Sequence, residues 1–337
     1  MPEVSDGWPP ELSCVEGSPA VMSCPDRGWT PMSDAGRIGD NVVMQQHAPR
    51  APLPVPDRRG LELDVAGYER LTHDVRPLLG IDLAQYRPQQ VWRRVVGFAT
   101  SHGCADPDEL VARARAEPDL RAAFREMLTI NVSEFFRDPA VWERFRTQVV
   151  DPLVASRQSV RVWSAGCSAG YEPYSIAMLF RQASPTVRVQ ITATDVDEKV
   201  LAVARAGRYA TTLMGGVSAD RRARFFTPTT GGYLVNPEIR AMVSFAQRDL
   251  LRDPMPSGFD VIACRNVVIY FTDEAKAKLY RGFANALRPH GTLLIGATES
   301  IAGAKALGLD PRSPGFYTRA APPGGLRSGP RQNLAAR

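Results

Sequence analysis

Three short runs in this 337-residue chain bring together residue types that can hold a cofactor. The first, Ala165-Gly-Cys-Ser-Ala-Gly-Tyr-Glu172, follows an apolar segment that starts at Val160. Its glycines, Gly166 and Gly170, allow a tight turn and a close approach of backbone to a ligand. The second is Asp195, 25 residues beyond Gly170, at the end of the apolar run Val187–Ala193. After the second strand of a βαβ unit, an acid at this distance takes the ribose hydroxyls of an adenosine-containing cofactor. The third, Cys264-Arg265-Asn266 leading to Tyr270, follows the apolar run Phe259–Ala263.

Each feature also has a plainer reading. Gly166-x-x-x-Gly170 is not the GxGxxG of dinucleotide-binding folds, and no lysine follows it, which excludes a P-loop. The loop read alone is a tight turn, Asp195 read alone is a helix N-cap, and Tyr270 or Trp163 read alone is a core aromatic. Cys167 and Cys264 have no histidine suitably placed in sequence, and cysteine often serves as a small buried apolar residue. The five cysteines form no CxxC pair, so neither a metal site nor a disulfide framework is expected. What favours a site is the combination: loop, acid and polar cluster each fall just after a strand, where open α/β sheets bind ligands.

These runs need strands to carry them. From Val160 onward short apolar strands alternate with helices: strands at Val187–Ala193, Met242–Ala246, Phe259–Ala263 and Gly291–Ala297, and helices at Pro173–Arg181, Glu198–Ala206 and Asp273–Leu287 capped by Thr272. That alternation predicts an α/β fold with a mainly parallel sheet, to which Gly315–Arg319 adds an edge strand. Thr211 to Ile239 breaks the pattern with a charged helical piece and a Thr-Pro-Thr-Thr-Gly-Gly hairpin. Before Val160 the apolar periodicity is helical, with stripes such as Leu120, Phe124, Met127 and Leu128. The organisation read from sequence is therefore a leader at 1–60, a helical domain at 61–156, an α/β domain at 157–320 with a β insertion at about 211–240, and a basic tail at 321–337. Residues 1–60 hold 10 of the 28 prolines and read as disordered, as does the tail.

The net charge is +5, but five arginines and no acid lie from Pro311 onward, so the rest of the chain is near neutral. A nucleic-acid-binding domain usually carries its own basic face, so no nucleic-acid partner is expected. No apolar run is long enough to span a membrane, and the acidic start lacks the marks of a signal peptide. A cytoplasmic location and a monomer are expected.

Four longer stretches carry a resemblance. Thr129-Ile-Asn-Val-Ser-Glu-Phe-Phe-Arg-Asp138, Val162-Trp-Ser-Ala-Gly-Cys-Ser-Ala-Gly-Tyr-Glu-Pro-Tyr-Ser-Ile-Ala-Met178, Ile191-Thr-Ala-Thr-Asp195 and Phe259-Asp-Val-Ile-Ala-Cys-Arg-Asn-Val-Val-Ile-Tyr-Phe271 resemble, in order, the motifs of the CheR family. Gly291 to Ser300 resembles the family's closing motif. These are S-adenosylmethionine-dependent methyltransferases that esterify glutamates of chemotaxis receptors. The resemblance runs from about Leu61 to Arg319 and implies a helical domain, a Rossmann-like class I methyltransferase sheet and an inserted antiparallel β-subdomain. It further implies that Asn131, Ser133 and Arg137 close over S-adenosylmethionine, that Glu172 and Asp195 bind it, and that Asp249-Leu250 and Arg265-Asn266 complete the pocket. S-adenosylhomocysteine would be the product. Arg137 and Tyr270 are the candidates for orienting the substrate carboxylate. Arg137 has a plainer reading as a local ion pair with Glu134 or Asp138. Two departures stand in the glycine loop: Ala169 and Tyr171 replace the family's usual Thr and Glu. Ser133 also replaces a Thr.

The implied partner is the cytoplasmic helical bundle of a methyl-accepting chemotaxis receptor, with recruitment to receptor arrays at the inner membrane. The hairpin offers a strand edge for a receptor's C-terminal peptide. Arg87, Arg93 and Arg94 fall on a helix with no acid between Tyr86 and Gly103, with Arg87 and Arg94 on one face, and form the expected docking patch. Two rivals share most of these features: a non-catalytic S-adenosylmethionine-binding signalling module, and a methyltransferase for receptors of a pathway other than chemotaxis.

Overall fold

The computed structural model describes residues 62–129 and 133–321. The expected leader, the tail beyond Ala321 and Asn131 lie outside the described residues.

Four helices open the fold: α1 (Val65–Leu79), α2 (Pro88–Ser101), α3 (Pro107–Ala116) and α4 (Pro118–Thr129). On α1 the residues Tyr68, Leu71, Val75 and Leu79 recur every three or four positions, and all four are buried. The helix stops at Gly80, whose φ of 74° gives the left-handed cap that closes its last turn. Asp106 caps α3 by accepting the N–H of Glu109. Leu71, Val75, Leu83, Val95, Leu110 and Phe124 form the centre of a separate core for this domain.

Next come α5 (Pro139–Phe145) and α6 (Asp151–Ser156), joined through one wide helical turn at 146–150. The sequence groups them with the helical domain. Their apolar residues Trp142, Phe145 and Val149 instead pack with Val160, Val162 and Phe180 in the core of the sheet. Packing puts the border between the two cores near residue 130, not near 156.

The α/β part follows as β1 (Ser159–Ala165), α7 (Tyr171–Ala183), β2 (Arg188–Asp195), α8 (Glu198–Ala206), β3 (Arg208–Ala210), α9 (Ala219–Phe225), β4 (Phe226–Thr229), β5 (Gly232–Val235), α10 (Pro237–Arg240), β6 (Val243–Gln247), β7 (Phe259–Cys264), α11 (Asp273–Ala286), β8 (Leu287–Ile295), β9 (Leu309–Ser313) and β10 (Phe316–Arg319). The seven-stranded sheet has the order β6-β2-β1-β7-β8-β10-β9. Its first five strands are parallel, and β10 runs antiparallel to both of its neighbours, β8 and β9. Every residue of β7 is buried, because both faces of the sheet are covered: Val261 and Ala263 join one core, Ile262 and Cys264 the other. Thr272 caps α11 as the sequence suggests, accepting from the Ala275 N–H.

Two expectations change. The Gly315–Arg319 segment is not an edge: β10 lies between β8 and β9, and β9 takes the edge. The insertion does hold the hairpin, β4 to β5, but β3 pairs with β5 to make a three-stranded sheet, so the unit begins at Arg208 rather than 211. Periodicity could not reveal a three-residue strand whose partner lies more than twenty residues away.

Candidate active site

The chain leaves β1 for α7, runs outward through β2 to β6, and returns across the sheet to β7. The strand order therefore reverses beside β1, and a cleft opens at the carboxyl ends of β1, β2, β6 and β7. The helical domain forms its opposite wall. The cleft has a cavity volume of about 130 Å³ and is lined by residues from both.

The sheet wall is built around Asp195. The N–H groups of Gly166 and Cys167 donate to the Thr194 carbonyl, folding the glycine loop back over β2. Ser168 N–H then donates to Asp195 Oδ2 at 2.8 Å and Asp197 N–H to Oδ1 at 3.0 Å. Asp195 is 8% exposed. Burial pushes its carboxyl above the ordinary carboxylate range, and the backbone donors pull the other way. Asp195 does not cap α8; Asp197 does, accepting from Lys199 N–H.

The two glycines differ in what they do. Gly166 lines the cleft at φ +76°, and a Cβ there would sit 2.5 Å from a Val267 methyl. Gly170 does not line it. At φ +89°, its missing Cβ leaves room for Ala204, 2.9 Å away, so it serves helix–helix packing behind the loop.

Glu172 projects from the first turn of α7 into the cleft. Ser164 Oγ donates to its Oε1 at 2.8 Å, and Arg265 Nη1 lies 3.8 Å from Oε2. Burial raises its pKa, while Arg265 and then Ser164 oppose the rise. Arg265 is itself an internal brace. Its Nη2 donates to the Arg137 carbonyl at 3.0 Å and to Asp138 at 2.9 Å, and the guanidinium lies 5.2 Å from the Trp142 ring. The segment carrying Ser133 and Arg137 is thus tied to the end of β7. Asn266 follows at φ +58°, held by its N–H to Glu299 Oε1 at 3.0 Å. At the end of β6, Arg248 N–H donates to the Asp195 carbonyl, and Leu251 N–H to Asp249 Oδ1 at 2.9 Å.

Ten sequence-derived site residues line the cleft together: Ser133, Arg137, Gly166, Glu172, Asp195, Asp249, Leu250, Arg265, Asn266 and Tyr270. Among the described residues no histidine lines it. Two side-chain atoms of its lining residues, Ser168 Oγ and Arg265 Nε, are buried without a hydrogen-bond partner among the described residues. Carboxylates for hydroxyl and amino groups and apolar walls from Ile81, Leu128 and Val267 suit a nucleoside joined to an amino acid. The departures at Ala169 and Tyr171 do not reach the cleft. Both are buried, and Tyr171 packs edge-on to Phe135 at 4.9 Å, its phenol pushed up to about 12 by burial. Cys167 and Cys264 are buried thiols whose pKa burial drives well up, which leaves them unreactive.

The arginine patch needs correction. Arg87 is not on α2 but precedes it as the N-cap, and it pairs with Asp273 at 3.0 Å. Arg94 is half-buried and donates to the Met127 carbonyl; its guanidinium lies 5.9 Å from the Tyr270 ring, and desolvation lowers its pKa. Arg93 is exposed, as Arg87 is, and forms no ion pair among the described residues. Helical spacing placed the residues but could not show that Arg94 bonds to α4 or that Arg87 is paired with Asp273 at the start of α11.

Sequence reasoning missed the helical wall. Gly80, Ile81, Asp82 and Tyr86 line the cleft. The available signal is the Gly80-Ile81-Asp82 break between the apolar stripes of α1 and α2. Tyr86 pairs with Phe271 in an isolated antiparallel bridge, and near it Arg87 N–H donates to the Tyr270 carbonyl and Thr272 N–H to the Gln85 carbonyl. Tyr270 is thereby fixed from the opposite domain.

Comparison with known proteins agrees with this arrangement. The model of the CheR methyltransferase S-adenosylmethionine-binding domain matches residues 131–308, and that of the CheR all-alpha domain matches residues 66–129. A chemotaxis protein methyltransferase of Listeria monocytogenes is 37% identical over 266 residues, covering 79% of this chain and 99% of that protein. Chemotaxis protein methyltransferase 1 of Pseudomonas aeruginosa is 35% identical over 251 residues, covering 70% of this chain and 90% of its own length.

Proposed function

The chain belongs to the CheR methyltransferase family, whose cofactor is S-adenosylmethionine, and from that premise we propose that it methylates glutamate side chains of chemoreceptors. The observation that carries this reading is a cleft with fixed carboxylates at the strand ends and, among the described residues, no histidine. A glutamate has a pKa near 4.3 and is already an ionised nucleophile at neutral pH, so its methylation needs no general base.

When bound, S-adenosylmethionine supplies an electrophilic methyl group on a positively charged sulfur. Each Asp195 oxygen accepts one backbone N–H and keeps lone pairs for ribose hydroxyls. Glu172, with Asp249 and Asn266, offers polar contacts to the remaining hydroxyl and amino groups. Arg137 and Tyr270 orient the incoming carboxylate. Their hold must stay weak, because a strongly stabilised ground state raises the barrier. The helical wall excludes water and aligns the reacting groups.

The substrate is proposed to be an acidic receptor helix that meets the exposed Arg93 and Arg87 of the helical domain, with the protein recruited to receptor arrays. Among the described residues no helix is long and apolar enough to cross a membrane. The outer strands β3 and β4 of the small sheet offer edges to a receptor's C-terminal peptide.

The test is transfer of labelled methyl groups to membranes bearing candidate receptors, followed by base treatment. Label released as volatile methanol supports glutamate esters. Label that resists base overturns the ester assignment, and cofactor binding without transfer to any receptor favours a non-catalytic signalling module.

A further inference from the structure

We propose that Arg125, a residue of α4 that does not line the cleft, is a positioning residue that sets the cleft's affinity for its cofactor. The inference deepens the reading above and rests on it. Arg125 Nη1 donates to the Leu79 carbonyl at 2.9 Å, and Nη2 donates to the Val196 carbonyl at 3.2 Å. These two acceptors belong to opposite walls. Leu79 ends α1 and is followed directly by the cleft residues Gly80, Ile81 and Asp82. Val196 lines the cleft and follows Asp195. One guanidinium therefore ties the floor of the helical wall to the loop that presents the acid.

The chemistry suits the task. The last carbonyls of a helix lack intrahelical partners, and the Leu79 carbonyl is one of them. A planar guanidinium holds its donors in a fixed fork, so it sets the separation of two acceptors as well as binding them. A lysine ammonium on a flexible stem does not. The Val196 carbonyl also accepts from Gln247 Nε2 at 2.9 Å, which fixes that loop from the β6 side. Arg125 Nε is buried without a hydrogen-bond partner among the described residues, so the side chain is held for its two amino groups. At the other end of the cleft the walls are joined by main-chain bonds around Tyr86 and Phe271, which side-chain substitution leaves in place. Nearby, Arg252 reaches Asp82 only at 3.8 Å and is partly exposed.

The experiment compares the full-length protein with Arg125→Met and Arg125→Lys. Three quantities are read: the Kd for S-adenosylhomocysteine by calorimetry, the ligand-free melting temperature, and KM for S-adenosylmethionine and for receptor. The proposal expects Arg125→Met to weaken S-adenosylhomocysteine binding on the order of tenfold, the size of one to two charged hydrogen bonds. KM for S-adenosylmethionine should rise in parallel, with receptor KM unchanged. Arg125→Lys should recover the melting temperature but not the affinity, since it can cap Leu79 without fixing the distance to Val196. Unchanged affinity in Arg125→Met overturns the proposal, as does an affinity restored by lysine together with the melting temperature, which marks a helix cap alone. If the wild-type protein binds no S-adenosylhomocysteine, the reading of the cleft itself fails, a result distinct from either.

Discussion

The two walls of the cleft are made differently. The sheet wall consists of strand ends whose polar groups are already engaged: Asp195 with the Ser168 and Asp197 amides, Glu172 with Ser164, and Arg265 with the Arg137 carbonyl and Asp138. The helical wall has its own core and meets the sheet through a two-residue bridge, a few side-chain bonds and partly exposed ion pairs. Geometry on the first wall is set by the sheet, whose loss would mean global unfolding. Geometry on the second depends on contacts that open more easily. Binding energy should therefore concentrate on the sheet wall, while enclosure and partner choice belong to the helical wall.

The largest test of that division is Asp195→Ala. It should weaken S-adenosylmethionine binding by about 1.5–3 kcal/mol or more, the worth of hydrogen bonds to a charged group. Calorimetry checks this, and Asp195→Asn, which keeps the shape, should fall between. Full affinity in a folded Asp195→Ala protein would move the cofactor's main anchor to the other wall.

Gly170→Ala probes packing behind the sheet wall. With φ at +89° and Ala204 at 2.9 Å from the new Cβ, it should destabilise the fold by about 1–3 kcal/mol in denaturant titration. Gly80→Ala, also at positive φ but with open space around its Cβ, should lose less.

Glu172→Gln separates stability from binding. Burial raises the folded-state pKa of Glu172, so the fold favours the protonated form. The associated stability is present below the unfolded value near 4.3 and is lost as pH rises through the folded value. At neutral pH the glutamine variant should therefore melt higher than wild type, with the gap closing as pH falls toward 4. Its cofactor affinity should drop about tenfold, through loss of one charged contact. A variant that melts lower at pH 7 would show that Arg265 and Ser164 outweigh desolvation.

The smallest effect is expected on the helical wall. Arg93→Glu should slow receptor methylation several-fold at low salt and leave cofactor affinity unchanged, because exposed charge steers docking more than it adds affinity. The difference should shrink as salt rises past about 0.1 M, where the screening length is about 10 Å. Equal rates at low salt would place the receptor elsewhere.

How much of this was legible beforehand follows from sequence distance. The parallel sheet, the hairpin and the Thr272 cap are local signals, written in periodicity and turn chemistry over a few residues. Asp195 and Glu172 could be placed because a strand end fixes where the next residue points. The pairing of β3 with β5, the burial of Arg94 under Met127 and Tyr270, and the sharing of Trp142 with the sheet core depend on segments that meet only in three dimensions.

The sequence by itself determined the family, the cofactor and ten of the cleft residues, because long motifs at strand ends encode both backbone turn and side-chain chemistry. Tertiary structure decided the rest. Arg265 became a brace, since the residues it holds, Arg137 and Asp138, lie over a hundred positions away. Arg94 was half-buried because α4 packs against it, and Arg87, though exposed, was paired with Asp273 of α11. The wall carrying Gly80, Ile81, Asp82 and Tyr86 joined the site through a hydrogen-bonded bridge to Phe271. A side chain's type is local, but its partner and its exposure are set by whichever segment folds against it.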